Sequence, residues 1–302
     1  MPFHRRAQPA EAVSAPAAPP THFVELRDVC KYYQMGTVRI SAADHINFYI
    51  EKGEFCVIVG PSGAGKTTTL KLLTGQLHSD GGEMVVLGEN PFSPKMKQRI
   101  GIMSDMSGLY EKMTVYENLE IFADIYGVER KRERIDEVLA AVELREAKKK
   151  KVEKLSRGMK QRLVFARTIL HDPELLFLDE PTANLDPTTA QEVRDLIRKL
   201  NERGTTVFLT THNMEEADEL CHRVAFLNRG DIVESGTPRE LKLRYALGKV
   251  IISTDEGERE VPLEKEAIIS ELKRGGELLM IHSKEPSLKE VFLRLTKKQE
   301  VE

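Results

Sequence analysis

The segment GPSGAGKT, residues 60–67, restricts the possible folds of this chain more than any other part of the sequence. It matches the pattern G-x-x-x-x-G-K-[ST] and lies between a strand-like run, FCVIV, and a helix-like run, TTTLKLLTG. Glycines let such a loop curl close to a ligand, and its N–H groups converge on phosphate oxygens at the positive end of a helix. The predicted nucleotide-binding residues are Gly60, Pro61, Ser62, Gly63, Ala64, Gly65, Lys66, Thr67 and Thr68.

Two residues of this loop have distinct roles in phosphate chemistry. Lys66 is predicted to supply a positive charge to the β- and γ-phosphates, and Thr67 to offer its hydroxyl to Mg²⁺. Kinases, GTPases and ATPases share this pattern, so a second feature must separate these classes.

A pair of carboxylates directly follows the apolar run Leu175–Leu178. An acidic residue at the end of a buried strand is costly unless a cation or a donor meets it, so we predict that Asp179 holds Mg²⁺, directly or through water. Glu180 points in another direction and is predicted to be the general base that activates water. The pair therefore favours hydrolysis over phosphate transfer to an alcohol; the alternative is a capping pair at a strand end.

A single histidine, His212, follows the apolar run TTVFLTT. Its place after a third core strand predicts contact with the γ-phosphate and with Glu180 and its water. The alternative is a histidine that is merely exposed or satisfied within the fold.

Composition excludes several classes of protein. The 302 residues include 45 Lys and Arg against 48 Asp and Glu, a net charge of −3, which is not the basic balance of a nucleic-acid-binding protein. The longest apolar runs are far shorter than the ~18 residues of a membrane helix, so any spanning part must belong to another chain. Three cysteines without a C-x-x-C pattern favour a reducing compartment over a disulfide framework or a zinc site.

Sequence character changes twice along the chain. Residues 1–21 are rich in Ala and Pro, lack a signal-peptide core and are predicted to be a disordered tail. Residues 22–240 alternate strand-like and helix-like runs, and residues 241–302 predict a small α+β appendage with its own core.

The pattern within residues 22–240 predicts an α/β fold. Continuous apolar runs at 55–59, 174–179, 205–211 and 223–228 are typical of buried parallel strands. Phe23–Val29 and His45–Ile50 alternate as antiparallel strands do, and residues 114–170 are helical in pattern. The expected architecture is a P-loop NTPase core with an antiparallel β subdomain and a helical subdomain, followed by the C-terminal appendage.

Five motifs in this order resemble the ATP-binding cassette (ABC) family. They are GPSGAGKT, LSRGMKQR, LLFLDEP, ANLD and the later His212, and the likeness covers roughly residues 22–240. The segment LSRGM is similar to the family signature, usually written LSGGQ. Lys66 and Ser156 are 90 positions apart, a spacing that suits the transporter branch of the family.

This resemblance implies a head-to-tail dimer that encloses two ATP molecules. Ser156 and Gly158 would bind the γ-phosphate of the partner's ATP, and Asp186 would lie at the seam between the two cassettes. Tyr33 would stack on adenine, with Tyr32 as the alternative.

Two positions depart from the family pattern. Arg157 replaces the glycine at the third position of the signature, and Asp105 stands where the family carries a glutamine that ligates Mg²⁺. A carboxylate can still ligate Mg²⁺ through oxygen, so Asp105 is retained as a predicted metal ligand.

The resemblance favours a particular kind of protein. It implies an ATP-hydrolysing subunit of drug or antibiotic export type, with ATP and Mg²⁺ as ligands, bound to a membrane-spanning permease subunit at the cytoplasmic face of the cell membrane. A second ABC subunit, identical or different, would complete the sites, while the C-terminal appendage would regulate or help dimerisation. The alternative is a soluble ABC ATPase that acts as a mechanical switch without transport.

Overall fold

The computed structural model describes residues 22–104 and 108–299. The predicted disordered tail, residues 1–21, and Asp105 lie outside these ranges. The strands of the described residues are β1 Val24–Met35, β2 Val38–Ile50, β3 Phe55–Val59, β4 Gly81–Val86, β5 Ile100–Met103, β6 Leu175–Asp179, β7 Thr206–Thr211, β8 Arg223–Asn228, β9 Asp231–Gly236, β10 Lys249–Thr254, β11 Gly257–Pro262 and β12 Leu278–Ser283. The helices are α1 Lys66–Leu73, α2 Pro94–Lys97, α3 Val115–Ile125, α4 Lys131–Ala141, α5 Arg157–Ile169, α6 Pro187–Glu202, α7 Met214–Leu220, α8 Pro238–Arg244, α9 Lys265–Leu272 and α10 Leu288–Gln299.

A six-stranded sheet forms the centre, in the order β5-β6-β7-β3-β8-β9. The first five strands are parallel, and β9 is antiparallel to β8. Every residue of β3, β6 and β7 is buried, which confirms the prediction from their continuous apolar runs. Because β6, β7 and β3 are neighbours and run in the same direction, their carboxyl ends lie together at one edge of the sheet.

An antiparallel sheet, in the order β2-β1-β4, covers one face of the central sheet. Apolar side chains of both sheets share a core there, for example Ile46 with Ile58 and Phe177. The predicted strand pair is longer than its alternating runs indicated, because pairing continues to Met35 opposite Val38. This extension places Tyr33 opposite Ile40.

The helical stretch lies over the other face of the central sheet. Helices α3, α4 and α5 pack on one another, and Leu119, Leu139 and Phe165 belong to the core that this face shares. Helix α3 begins at a capping box in which the Thr114 hydroxyl accepts the Glu117 N–H and the Glu117 carboxylate accepts the Thr114 N–H. These three helices confirm most of the helical pattern predicted for residues 114–170, but residues 142–156 contain only two short 3-10 turns, Arg145–Ala147 and Val152–Lys154.

The C-terminal segment contains the strands β10, β11 and β12 and the helices α9 and α10, the mixture of strands and helices that the sequence predicts. Its sheet has the order β11-β10-β12, with α9 against β11. Helix α10, however, packs on α7 and α8, and Leu288, Val291 and Phe292 join the large core of the central sheet. The expectation of a self-contained core is therefore wrong for α10, while the division of the chain at residue 241 stays a prediction.

Among the helices within residues 22–104 and 108–299, none is both long enough and apolar enough to cross a bilayer.

Candidate functional site

The loop between β3 and α1 is shaped by glycines that no other residue could replace without strain. Gly63 and Gly65 have φ of 79° and 106°, in the left-handed region. A Cβ atom on Gly60 would lie 2.2 Å from the carbonyl oxygen of Leu227, and one on Gly65 would lie 2.1 Å from that of Ala42. Because Gly65 has no side chain to cap α1, the first amides of this helix remain available to an anion.

The ammonium group of Lys66 is held inside the curve of this loop. Its Nζ donates to the carbonyl oxygens of Gly60 at 2.8 Å and Pro61 at 3.2 Å, and lies 3.5 Å from Oε1 of Glu180. Only 8% of Lys66 is exposed. The charge is thus fixed at the position where the loop would present it to phosphate oxygens.

Asp179 ends β6 directly beside the first turn of α1. The Thr67 hydroxyl donates to its Oδ2 at 2.9 Å, and the Thr210 hydroxyl donates to its Oδ1. Thr210 lies opposite Asp179 in the β6–β7 pairing, so the sheet register itself orients the carboxylate. A hydroxyl and a carboxylate in contact are the hard oxygen donors that suit Mg²⁺.

Glu180 is turned away from Asp179 by its backbone. It has φ of 49°, an uncommon conformation for a residue other than glycine, and its N–H donates to the Thr210 carbonyl at 2.9 Å. Oε2 of Glu180 lies 2.7 Å from Nδ1 of His212, which follows β7. The carboxylate therefore lies between the Lys66 ammonium and the His212 ring, and the role of Glu180 as general base stays a prediction.

Lys66, Thr67, Glu180 and His212 line one cleft of about 800 Å³, a volume typical of small-ligand sites. The structure brings the predicted loop residues from Pro61 to Thr68 together with Glu180 and His212 here, while Gly60 and Asp179 do not line this cleft. The cleft is lined by Tyr33, Ile40, Ser41, Ala42, Pro61, Ser62, Gly63, Ala64, Gly65, Lys66, Thr67, Thr68, Glu180 and His212.

Of the two adjacent tyrosines, Tyr33 faces this cleft. It is 41% exposed, and neighbouring residues of a strand point to opposite faces. The hydroxyl of Tyr32 instead donates to Asp44 at 2.9 Å, and the guanidinium of Arg39 lies 3.6 Å from the centre of its ring. Tyr33 thus presents a partly exposed ring to the cleft, with Nζ of Lys31 6.0 Å from the ring centre, and its stacking on adenine stays a prediction.

The signature-like segment lies at the start of α5 and outside the cleft lining. The Ser156 hydroxyl caps α5 by accepting the Met159 N–H at 3.2 Å. Gly158 passes close to the start of α6, since a Cβ atom there would lie 2.7 Å from Cγ2 of Thr189. Arg157, between them, is exposed.

Asp186 caps α6 in the same region. Its carboxylate accepts the Thr189 N–H at 3.1 Å, and this hydrogen bond holds the pKa of Asp186 below its ordinary value. The structure thus brings Ser156, Gly158 and Asp186 to the beginnings of two neighbouring helices, and not to the cleft of the phosphate loop.

Comparison with known proteins gives the family. The model of the ABC transporter family matches residues 43–183. The fluoroquinolones export ATP-binding protein of Mycobacterium tuberculosis is 41% identical over 264 residues, which cover 84% of this chain and 87% of the relative. This chain belongs to the ABC transporter family. The bacitracin transport ATP-binding protein of Bacillus licheniformis is 42% identical over 206 residues, 67% of each chain.

Solved ABC cassettes have the same fold. A dimeric ATP-binding cassette bound to ADP and phosphate superimposes with a TM-score of 0.65 at 30% identity, covering 71% of this chain and 98% of that one. The cassette cbiO1 from Clostridium perfringens gives a TM-score of 0.66 at 27% identity, covering 73% and 90%. The family, the P-loop α/β fold and ATP hydrolysis, all predicted from the sequence, are confirmed.

Several residues of this ABC site carry no signal in the sequence. Thr210 is an ordinary residue of a buried strand until its pairing places it against Asp179. Ser41 and Ala42 reach the cleft only because β2 folds back beside the phosphate loop. Asp105 falls outside the described residues, so its predicted role as a Mg²⁺ ligand stays a prediction.

Proposed function

We propose that this chain is the ATP-hydrolysing subunit of an exporter, acting at the cytoplasmic face of the cell membrane on a separate membrane-spanning permease. Relatives named for fluoroquinolone export and bacitracin transport support this direction over a soluble ABC switch. The exporter works with two cassettes facing each other, because Ser156, Gly158 and Asp186 lie away from the cleft that their own chain forms.

The observation that carries the proposal is the pairing of Glu180 with His212 beside the phosphate loop. Lys66 and the loop amides bind the β- and γ-phosphates, and the ring of Tyr33 stacks on adenine. Thr67 and Asp179 would hold Mg²⁺, which would neutralise charge on the phosphates. Glu180 accepts a proton from the attacking water, and His212 keeps its carboxylate in place.

Turnover at different protein concentrations tests this proposal. ATP hydrolysis per molecule should rise with concentration, because two chains must meet to complete a site. Glu180→Gln should bind ATP, release phosphate at least about 100-fold more slowly and accumulate as dimers measured by light scattering. If the rate of ATP hydrolysis per molecule stayed constant from dilute to concentrated protein, the proposal that two cassettes face each other would be overturned.

Membrane preparations test the assignment to transport. The tagged chain, expressed in its native host, should copurify with a protein that spans the membrane several times. Addition of a transported compound should raise the ATPase rate of this complex. Isolation as a membrane-free ATPase with no such companion would favour the soluble switch.

A further inference from the structure

The loop that joins Glu180 to Asp186 is held by side chains from two helices outside the cleft. On one side, Nε2 of Gln161 on α5 donates to the carbonyl oxygen of Pro181 at 2.7 Å. On the other side, the Thr182 hydroxyl donates to Oε1 of Glu216 on α7, also at 2.7 Å. The loop between Glu180 and Asp186 is therefore hydrogen-bonded to α5, which begins at the signature-like segment, and to α7, which follows His212.

This loop consists of two overlapping turns. The Ala183 N–H donates to the carbonyl oxygen of Glu180 at 3.1 Å, and the Leu185 N–H donates to that of Thr182 at 3.3 Å. The two turns reach from Glu180 to the residue before Asp186, and Thr182 lies where they overlap.

Glu216 is an unusual side chain for its surroundings. It is 1% exposed, and within the part of the chain that the structure describes its Oε2 has no hydrogen-bond partner. A buried carboxylate with one oxygen unsatisfied costs free energy, so this residue is poorly explained as a device for stability. Among the described residues, the one hydrogen bond of its carboxylate comes from Thr182, in the loop that follows Glu180.

Glu216 is also fixed relative to His212. Helix α7 begins two residues after the histidine, and the Asn213 side chain caps it by accepting the N–H groups of Glu215 at 2.9 Å and Glu216 at 3.2 Å. The position of Glu216 therefore follows the position of the histidine loop.

We propose that Glu216 and Gln161 are positioning residues that keep the loop of Glu180 in register with His212 and with the signature segment. This inference rests on the proposed function, since it assumes that Glu180 is the general base. None of Gln161, Pro181, Thr182 and Glu216 lines the cleft, so loosening these bonds lowers kcat and leaves the KM for ATP unchanged.

Substitutions at Thr182 and Glu216 separate positioning from stability. Thr182→Val removes the hydroxyl and leaves a buried carboxylate unpaired, so it lowers Tm as well as activity. In the double variant Thr182→Val/Glu216→Met both polar groups are gone, and the cost to stability is largely cancelled. If the hydrogen bond between Thr182 and Glu216 served stability alone, the double variant would have full activity.

The expected result is a double variant with nearly wild-type Tm, a KM for ATP within about twofold of wild type and a kcat about tenfold lower, the factor for one lost positioning interaction. Thr182→Ser, which keeps the hydroxyl, should retain wild-type kcat. Wild-type kcat in the double variant, or a KM that rises in step with the fall in kcat, would overturn the proposal.

Gln161→Ala provides an independent arm should the double variant fold poorly. It removes the bond to Pro181 from the opposite side and should lower kcat by a similar factor at constant KM, while Gln98→Ala, exposed at the end of α2, serves as the control. Wild-type kcat in Gln161→Ala would refute its positioning role. Wild-type protein without concentration-dependent ATPase activity would instead refute the proposed function itself.

Discussion

Nδ1 of His212 lies 2.7 Å from Oε2 of Glu180, although the two residues directly follow different strands and are 32 positions apart in the chain. The contact exists because β6 and β7 are adjacent parallel strands whose carboxyl ends meet at one edge of the sheet. It leaves the other carboxylate oxygen facing Lys66 at 3.5 Å. One side chain thus fixes the orientation of the base while the phosphate-binding charge lies beside it.

Replacement of this histidine should affect chemistry more than binding. His212→Ala is expected to lower kcat by about 100-fold, the lower end for loss of acid–base assistance, because Glu180 then loses the group that orients it. ATP affinity, measured with a fluorescent analogue, should change by less than about threefold, since the loop amides and Lys66 remain. His78→Ala, exposed and stacked on Phe92, is the matched control and should behave as wild type. Full activity of His212→Ala would contradict its assigned role.

Metal dependence should centre on Asp179 and the Thr67 hydroxyl. Removal of Mg²⁺ with EDTA is expected to abolish hydrolysis, and Thr67→Ala should raise the Mg²⁺ concentration needed for half-maximal rate by about tenfold, because one oxygen ligand is lost. Thr67→Ser keeps that oxygen and should leave the requirement nearly unchanged. A Mg²⁺ titration of the ATPase rate measures both variants, and coincident curves for Ala and wild type would place the ion elsewhere.

The ring of Tyr33 should contribute to nucleotide affinity without touching the phosphates. Stacking on a base is worth roughly 1–3 kcal/mol, so Tyr33→Ala should weaken ATP binding by about 5- to 150-fold. Tyr33→Phe retains the ring and should bind normally, and so should Tyr32→Phe, whose lost hydroxyl contacts Asp44. Inhibition by inorganic triphosphate should be the same in all these proteins. If triphosphate also bound more weakly to Tyr33→Ala, the loop would have been disturbed and the stacking assignment would fail.

The parts of the fold that the sequence predicted are those governed by local pattern. The run FCVIV is buried on both faces, and β3 begins and ends at the predicted residues, because a continuous apolar run is sufficient to define such a strand. The glycines at positions 63 and 65 likewise indicate a loop, since their positive φ angles exclude most side chains.

What the sequence could not predict depends on contacts between distant segments. The extension of β1 to Met35 follows from pairing with β2, and Thr210 meets Asp179 through strand register alone. The sequence predicts a separate core for α10, but α10 joins the large core. Its amphipathic pattern shows that the helix is buried, but not which surface buries it.

A pH-dependent stability effect is expected in the C-terminal sheet. Hydrogen bonds from Lys249 and Lys284 lower the pKa of Glu260 from 4.5 to about 2. Because the folded pKa is the lower one, the carboxylate stabilises the fold fully above about pH 4.5, and this contribution is lost as the pH falls toward 2. Glu260→Gln should therefore lower Tm at pH 7, with the difference from wild type closing over that interval. Glu129→Gln, in an exposed loop, should show no such pH dependence; equal Tm for Glu260→Gln and wild type at pH 7 would contradict the prediction.

The attachment of α10 to the main core can be measured by truncating one aromatic side chain. Phe292 is 8% exposed, and its ring meets that of Phe226 on β8 edge to face, with centroids 5.6 Å apart. Phe292→Ala should lower the free energy of unfolding by about 3–5 kcal/mol, the usual cost of a cavity left by a buried ring. Leu293→Ala is the matched control, because this neighbour is 45% exposed and its loss should cost less than about 1 kcal/mol. Urea unfolding followed by far-UV circular dichroism would measure both. If Phe292→Ala shows a single unfolding transition at lower urea, α10 unfolds together with the ATPase core. If α10 is lost first and the main transition is unchanged, the helix is only docked on that core.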